Sequence, residues 1–422
     1  MISISLSPNV FFRDIFAALK MIFAPWQWKR GKYEEKFQKQ FTEYFLSHEA
    51  KPLKVYLTNS GRSALYLILQ SLDIKQGDDI LIQAFTCNAV VNPILWSKAN
   101  PVYVDIGDDY NIDANDLEKK ITKNSKAIIV QHTFGIPAQI ENIIKIARKH
   151  NLILIEDCAH SLGQELKGKK LGTFGDVSFF SFGRDKIISC VYGGAILVKN
   201  EELKIKSHLD NLYKNLKYPK RLWILQQLLH PVLMSLILPF YNIPFKNNGI
   251  GKWFLVLLQK SRVLSKAISY KEKQGEKPNF FPSRLYNSLS YLAFIQFKYL
   301  EQFNSHRRKL VNFYKKELKN SKFCAINPIL YPLLRFPIKN SNAKQIMQKA
   351  RKKGILLGDW YNIAVAPDDT NLNKMKYQKG SCPNAERISN QIINLPTNPN
   401  LTTKQAQIII NFIIGNRVTD NN

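Results

Sequence analysis

The sequence predicts an α/β protein: a central, mostly parallel sheet between helices, followed by a smaller C-terminal α+β domain. Short apolar runs rich in β-branched residues recur from Val55 onward, separated by helical stretches. The runs show little alternation, as strands covered on both faces do. Beyond residue 323 the strands and helices continue as shorter units.

Residues 9–50 read as a helical, amphipathic arm carrying Phe11, Phe12, Phe16, Phe23, Trp26 and Trp28. Strands follow at 55–57, 79–83, 101–105, 127–131, 152–156, 177–181 and 194–198. Helices are expected at 63–72, up to about 97, and at 140–150. Residues 221–275 break the rhythm with two apolar segments, 222–245 and 253–264. The pattern is helical over 283–319, with a basic exposed face. The expected organisation is an arm (1–50), a large α/β domain (51–204), an apolar helical insert (205–280) and a small α+β domain (281–422).

At 422 residues with 45% hydrophobic and 12% aromatic side chains, the chain is globular and not disordered. The cysteines are Cys87, Cys158, Cys190, Cys324 and Cys382. Their odd number and lack of C-x-x-C spacing indicate neither a disulfide framework nor a zinc cluster. A reducing, cytoplasmic compartment and no metal site are expected. Arg13, Asp14 and Lys20 interrupt the first apolar stretch, so no signal peptide is expected.

The formal charge of +29 has two readings. One is attraction to nucleic acid, anionic lipid or phosphorylated substrates. The other is a compositional bias, since the lysines are spread and no arginine-rich block exists. No nucleic-acid module is visible, and no nucleic-acid partner is expected. Residues 222–245 contain no Lys, Arg, Asp or Glu. Pro231, Pro239, Pro244 and polar Gln226, Gln227, His230 and Asn242 argue against a simple spanning helix. Two readings stay open here. The insert is a pair of packed helices over the site or a dimer contact, or it touches the inner membrane surface through 222–264. Flanking basic residues would suit anionic lipid in the second case.

Three segments carry chemistry. In IEDCAHSLG, Asp157 and His160 follow an apolar strand, where ligands of such sheets bind. A carboxylate there can hold a proton on a heterocyclic nitrogen; the alternative is an ordinary loop cap. In FFSFGRDKIISCVYGG, a strand ends at Ser181 and Lys186 sits in the loop before the next strand. A lysine desolvated between buried strands becomes an amine nucleophile; alone, it is one surface lysine among many. In TNSGRSALYLIL, Gly61, Arg62 and Ser63 open a helix after a strand. Such a start binds anions, or is simply capped. A phosphate cradle, a strand-end acid and a loop amine, in that order, are the parts that pyridoxal 5'-phosphate (PLP) requires.

Order and wording resemble the DegT-type (DegT/DnrJ/StrS) family of PLP-dependent sugar aminotransferases. The likeness covers about 35–198 and 284–413. It is carried by PVYVDI, HTFGIPAQIENI, EDCAHSLGQELKGKKLGTFGDVSFFSF with its lysine, and CPNAERISNQIINLPTNPNLT. The resemblance implies the fold type I aminotransferase architecture and a homodimer with sites at its interface. It implies amino transfer, with glutamate as donor, to a keto-sugar nucleotide in surface-polysaccharide or amino-sugar biosynthesis.

Carried over by position, Lys186 would hold the cofactor covalently and later shuttle the proton, and Asp157 would pair with the pyridine nitrogen. His160 would lie near the ring's phenolic oxygen. Ser181 would bind the phosphate, with Gly61, Arg62 and Ser63 as cradle. The chain departs from the family pattern at four places. Cys87 stands where an aromatic residue often stacks on the ring, leaving Phe85 or a smaller contact for that task. Arg62 replaces a Thr, Pro282 an Asn, and Asn398 a His. Lys186 argues against the dehydratases that carry His instead. Other eliminating chemistry on this scaffold, and a non-catalytic regulatory or membrane-associated protein, remain the alternative readings.

Overall fold

Aliphatic runs that must hide both faces become seven strands of one sheet. They are β1 (Leu53–Thr58), β2 (Asp79–Gln83), β3 (Asn100–Val104), β4 (Ser125–Gln131), β5 (Ile153–Asp157), β6 (Val177–Ser181) and β7 (Gly194–Lys199). The computed structural model describes residues 2–46, 53–199, 202–241, 243–245, 248–319, 321 and 331–415; Asn242 and Cys324 lie outside them. The spatial order is β1-β7-β6-β5-β4-β2-β3. Every neighbouring pair is parallel except those of β7, which runs antiparallel to β6 and β1.

Successive residues feed opposite cores, as a pleat requires. Ile80, Ile82 and Ile155 enter one cluster, while Leu81 and Leu154 enter the other. Helices α3 (Gly61–Ser71) and α4 (Asn88–Trp96) help cover the first face; α5 (Ala114–Lys120) and α6 (Ile140–Lys149) cover the second. The predicted strands are all present, each within about two residues of its expected limits.

The arm consists of α1 (Phe12–Ile22) and α2 (Lys32–Leu46). Phe37, Phe41 and Phe45 recur at helical spacing, face inward and are fully buried. Their rings meet Phe180, Phe182 and Phe297. Each contributes on the order of 2–3 kcal/mol of burial, enough to pin the arm to the sheet.

After the sheet come α7 (Leu203–Lys214), α8 (Arg221–Ile237), α9 (Ile250–Lys260) and α10 (Tyr270–Lys273), the last three lying wholly in the expected apolar insert. The inner side of α8 buries Ile224, Leu228 and Met234, and the helix runs on through Pro231. Its polar residues are tied to protein: His230 Nε2 lies 2.7 Å from Ser7 Oγ, and Ser265 Oγ donates to Gln227 Oε1 at 2.8 Å.

The single helical stretch expected at 283–319 is two helices, α11 (Asn287–Phe297) and α12 (Leu300–Leu318). The break has a physical reason. Along most of its length α11 is buried on several sides, whereas α12 keeps a basic solvent face, so one straight rod cannot satisfy both environments. The C-terminal part adds β8 (Arg335–Lys339), α13 (Ala343–Lys352), α14 (Pro383–Gln391), β9 (Ile392–Pro396) and α15 (Thr403–Gly415). There β8 and β9 pair antiparallel.

Candidate active site

Parallel strands end on one edge, and the polar residues behind them converge there. Gly61 and Arg62 follow β1, Gln131 and Asp157 end β4 and β5, and Ser181 ends β6. The antiparallel β7 starts at that same edge, where Gly194 pairs with both Ser181 and Thr58. These segments line a cavity of about 160 Å³ with Cys87, His160, Lys186, Trp360 and Tyr361. So seven of the nine expected site residues, far apart in sequence, share one space.

Lys186 lies in the loop after β6. The residue keeps some exposure to the cavity, but its amine is surrounded by protein. Burial draws that amine down from 10.5 to about 8, against the opposing pull of Asp157 and Cys87. Its backbone is fastened from two directions. Asn9 in the N-terminal strap donates to the carbonyl of Lys186, and the Arg307 guanidinium donates to the next carbonyl, of Ile187, at 3.1 Å.

Asp157 is almost fully buried and accepts one hydrogen bond from the described protein, Ala159 N–H at 2.9 Å. Burial raises its carboxyl above the ordinary value, partly offset by that N–H, by Lys186 and by His132. A buried carboxylate with one protein donor has room for a cationic N–H partner. His160 is held neutral, its basicity pushed well down by burial, Lys186 and Arg335. Phe134 N–H donates to its Nδ1 at 3.2 Å, which assigns the proton to Nε2. The ring stacks on Trp360, with centroids 5.4 Å apart.

At the start of α3, Ser60 caps the helix by accepting from Ser63 N–H at 3.0 Å. The first-turn N–H groups of Gly61 and Arg62 have no intrahelical partner. A Cβ on Gly61 would come within 3.1 Å of Ser181 Cβ, so the Ser181 hydroxyl sits beside the helix start. A Cβ on Gly194 would come within 2.5 Å of Ser60 carbon and 2.6 Å of Gly61 nitrogen. Only glycine lets β7 pass this close. The donors form a pocket fit for a phosphate.

Two expected residues do not line the cavity. Ser63 is fully buried, and its hydroxyl donates to Asn59 Oδ1 at 2.6 Å, so it serves the helix cap. Phe85 is also fully buried, packed edge-on against Tyr361 and Phe134 behind the wall. Arg62 lines the cavity, but its guanidinium turns to the insert and is ion-paired with buried Glu272. Burial opposes that charge, and the Glu272 carboxylate outweighs burial and raises its pKa. Cys87 lines the wall and caps α4. The aromatic surface facing Lys186 comes instead from Trp360, whose ring centroid is 5.0 Å from Nζ. Sequence reading missed Trp360, Tyr361 and Glu272. The adjacent aromatic pair is the only local signal for the first two.

His132, Glu156 and Cys158 cluster below the site. Glu156 is already satisfied by Gly172 and Gly175 N–H at 2.9 and 2.7 Å and by His132 at 3.2 Å. His132 Nδ1 accepts from Ala138 N–H at 3.1 Å. The two residues bind each other and the backbone, the pattern of a structural brace for β5.

A sheet of this order, with a desolvated lysine and a buried acid at its carboxyl edge, defines the fold type I aminotransferases. The chain belongs to the DegT/DnrJ/EryC1/StrS aminotransferase family, whose family model matches residues 13–214 and 258–414. It is 29% identical to an uncharacterised protein of Methanocaldococcus jannaschii over 90% of this chain and 88% of that one. It is 36% identical to the GDP-perosamine synthase of Vibrio cholerae over 47% of this chain and 53% of that enzyme. This match spans about half of the synthase. Among solved structures, Bacillus subtilis NtdA with its bound cofactor PMP superposes with a TM-score of 0.71 at 21% identity. That match covers 98% of this chain and 84% of NtdA.

Proposed function

We propose that this chain is a PLP-dependent aminotransferase that moves an amino group from glutamate to a keto-sugar nucleotide in surface-polysaccharide or amino-sugar biosynthesis, working as a cytoplasmic homodimer. The carrying observation is the placement of Lys186 and Asp157 in one cavity beside the phosphate-fit start of α3. Family membership and likeness to a GDP-perosamine synthase support a sugar nucleotide as acceptor.

Bound here, PLP would supply an aldehyde for amines and a ring that takes up electrons. The chain's residues do the rest. Lys186 would present a neutral amine, which its lowered pKa makes available, to hold the cofactor, and would serve as the base and acid for the substrate proton. Asp157 would keep a proton on the ring nitrogen, and that ion pair would offset the desolvation of its carboxylate. Gly61 and Arg62 N–H and the Ser181 hydroxyl would hold the phosphate. Neutral His160, whose Nε2 lies 3.4 Å from Tyr361 Oη, would offer Nε2–H without adding charge, and Trp360 and Tyr361 line the cavity wall.

An absorbance spectrum of the purified protein tests this. A band near the visible edge, abolished by borohydride and absent from Lys186→Ala, is the expected result, with glutamate converting it to the amine form. A colourless protein that takes up no added PLP would overturn the reading. Product analysis with candidate keto-sugar nucleotides separates amino transfer from elimination.

A further inference from the structure

One face of the molecule is apolar, and none of its exposed large apolar side chains lines the cavity. Helix α1 buries Ala17, Ala18 and Met21 and turns Phe12 and Phe16, 81% and 68% exposed, to solvent. Phe23 and Trp26 continue the stripe at 76% and 73%. Helix α1 packs on α8, and α8 on α9. Helix α8 likewise hides one side and exposes Leu222, Leu236 and nearby Phe240, while α9 exposes Trp253, Phe254 and Leu257. Large aromatic side chains this exposed are costly unless something covers them.

The charge around these helices says what covers them. Residues 211–271 include ten Lys or Arg and no Asp or Glu. On the arm, exposed Lys20 lies within the aromatic stripe, and exposed Lys29, Arg30 and Lys32 follow it. A second copy meeting this face by two-fold symmetry would set these like charges against each other. An anionic surface that also accepts rings would satisfy both features. Furthermore, a groove of about 740 Å³ opens between α1 and α8, lined by Phe11, Phe12, Ile15, Leu236 and Leu238.

We infer that the exposed faces of α1, α8 and α9 dock the enzyme on a bilayer surface carrying anionic lipid headgroups. The stretch Arg221–Phe240 is long and apolar enough to span a bilayer, with a mean hydropathy of 1.5. It does not need to: Gln227 and His230 are buried against the protein, and the helix lies on the surface with one side in each phase. The family model leaves 215–257 unmatched, so α8 and most of α9 lie outside the family pattern, whereas α1 from residue 13 onward lies within it.

Flotation of the full-length protein tests the inference. The probes are vesicles of phosphatidylcholine alone and of phosphatidylcholine with phosphatidylglycerol. Wild type should float with the anionic vesicles, and rising salt should weaken this. Phe12→Ser/Phe16→Ser/Trp26→Ser should lower partitioning about tenfold or more, since each ring forfeits its transfer free energy. Lys220→Glu/Arg221→Glu/Lys260→Glu should abolish the preference for anionic lipid. All altered side chains are exposed and none lines the cavity, so amino transfer in solution should be unchanged. Wild type failing to float, or variants floating as well as wild type, would overturn the inference. So would light scattering showing that the aromatic variant turns a dimer that ignores vesicles into a monomer.

Discussion

Replacing Lys186 by Met should make the cofactor-free protein more stable at neutral pH, and the gain should vanish in alkali. Burial draws the amine from 10.5 to about 8, so folding at pH 7 forces an ammonium into a site that disfavours it. At about 1.4 kcal/mol per pH unit the penalty is about 3 kcal/mol; the residue's partial exposure to the cavity brings it to roughly 1–3 kcal/mol. The sign follows from proton counts. The folded pKa is depressed, so between about pH 8 and 10.5 the unfolded chain binds more protons, and wild-type stability rises with pH there. Below pH 8 the penalty is complete, and above about 10.5 both states are neutral and it is gone.

The assay is urea unfolding of both cofactor-free proteins at pH 7 and near pH 10, followed by fluorescence. Met also removes a cation from Asp157, so the informative quantity is how the stability gap changes between the two pH values. The gap should close by most of the penalty. A gap constant to within about 0.5 kcal/mol would refute a depressed amine. The same shift makes the neutral amine on the order of 300-fold more abundant at pH 7 than for an ordinary lysine, which is why the site tolerates the cost.

Three further outcomes follow. Asp157→Asn should leave Lys186 in place, lower its pKa further and slow the glutamate half-reaction by about 100-fold or more, measured by stopped-flow absorbance; a change below fivefold would argue against its role at the ring nitrogen. Gly194→Ala would set a Cβ against the backbone of Ser60 and Gly61 and should weaken PLP binding about tenfold or more by fluorescence titration. Arg62→Met would leave Glu272 buried and unpaired, at a cost of about 3–5 kcal/mol in urea unfolding. Most of that should return in Arg62→Met/Glu272→Gln, and no loss in the single variant would mean the pair is dispensable.

The central sheet was readable because its signal is local. Ile80, Leu81 and Ile82 declare a strand buried on both faces whatever surrounds them, and Asp157 and Ser181 mark the ends of two such strands. Lys186 was readable through its place in a chain of motifs; composition alone would have hidden it among the other lysines. Phe85 was misread for a definite reason. An aromatic residue two positions from Cys87 was a natural candidate for the ring face, but its side chain points into a buried cluster with Tyr110, Phe134 and Tyr361. Which side of a wall a loop residue faces depends on distant packing.

By itself, the sequence determined the order of the sheet's strands along the chain and the edge at which polar residues gather, which follow from side-chain periodicity and strand ends extending over a few residues. It marked Lys186 and Asp157 as candidates for the amine and the acid only through the order of several motifs and the family resemblance they carry. Only the tertiary structure decided that Trp360 supplies the aromatic surface beside the amine, that Glu272 claims Arg62, and that Asn9 and Arg307 fasten the lysine loop. It also decided that the arm lies against the insert and leaves its rings outward. These pairings join residues more than a hundred positions apart, and no local propensity encodes a contact whose partner arrives only when the chain has closed.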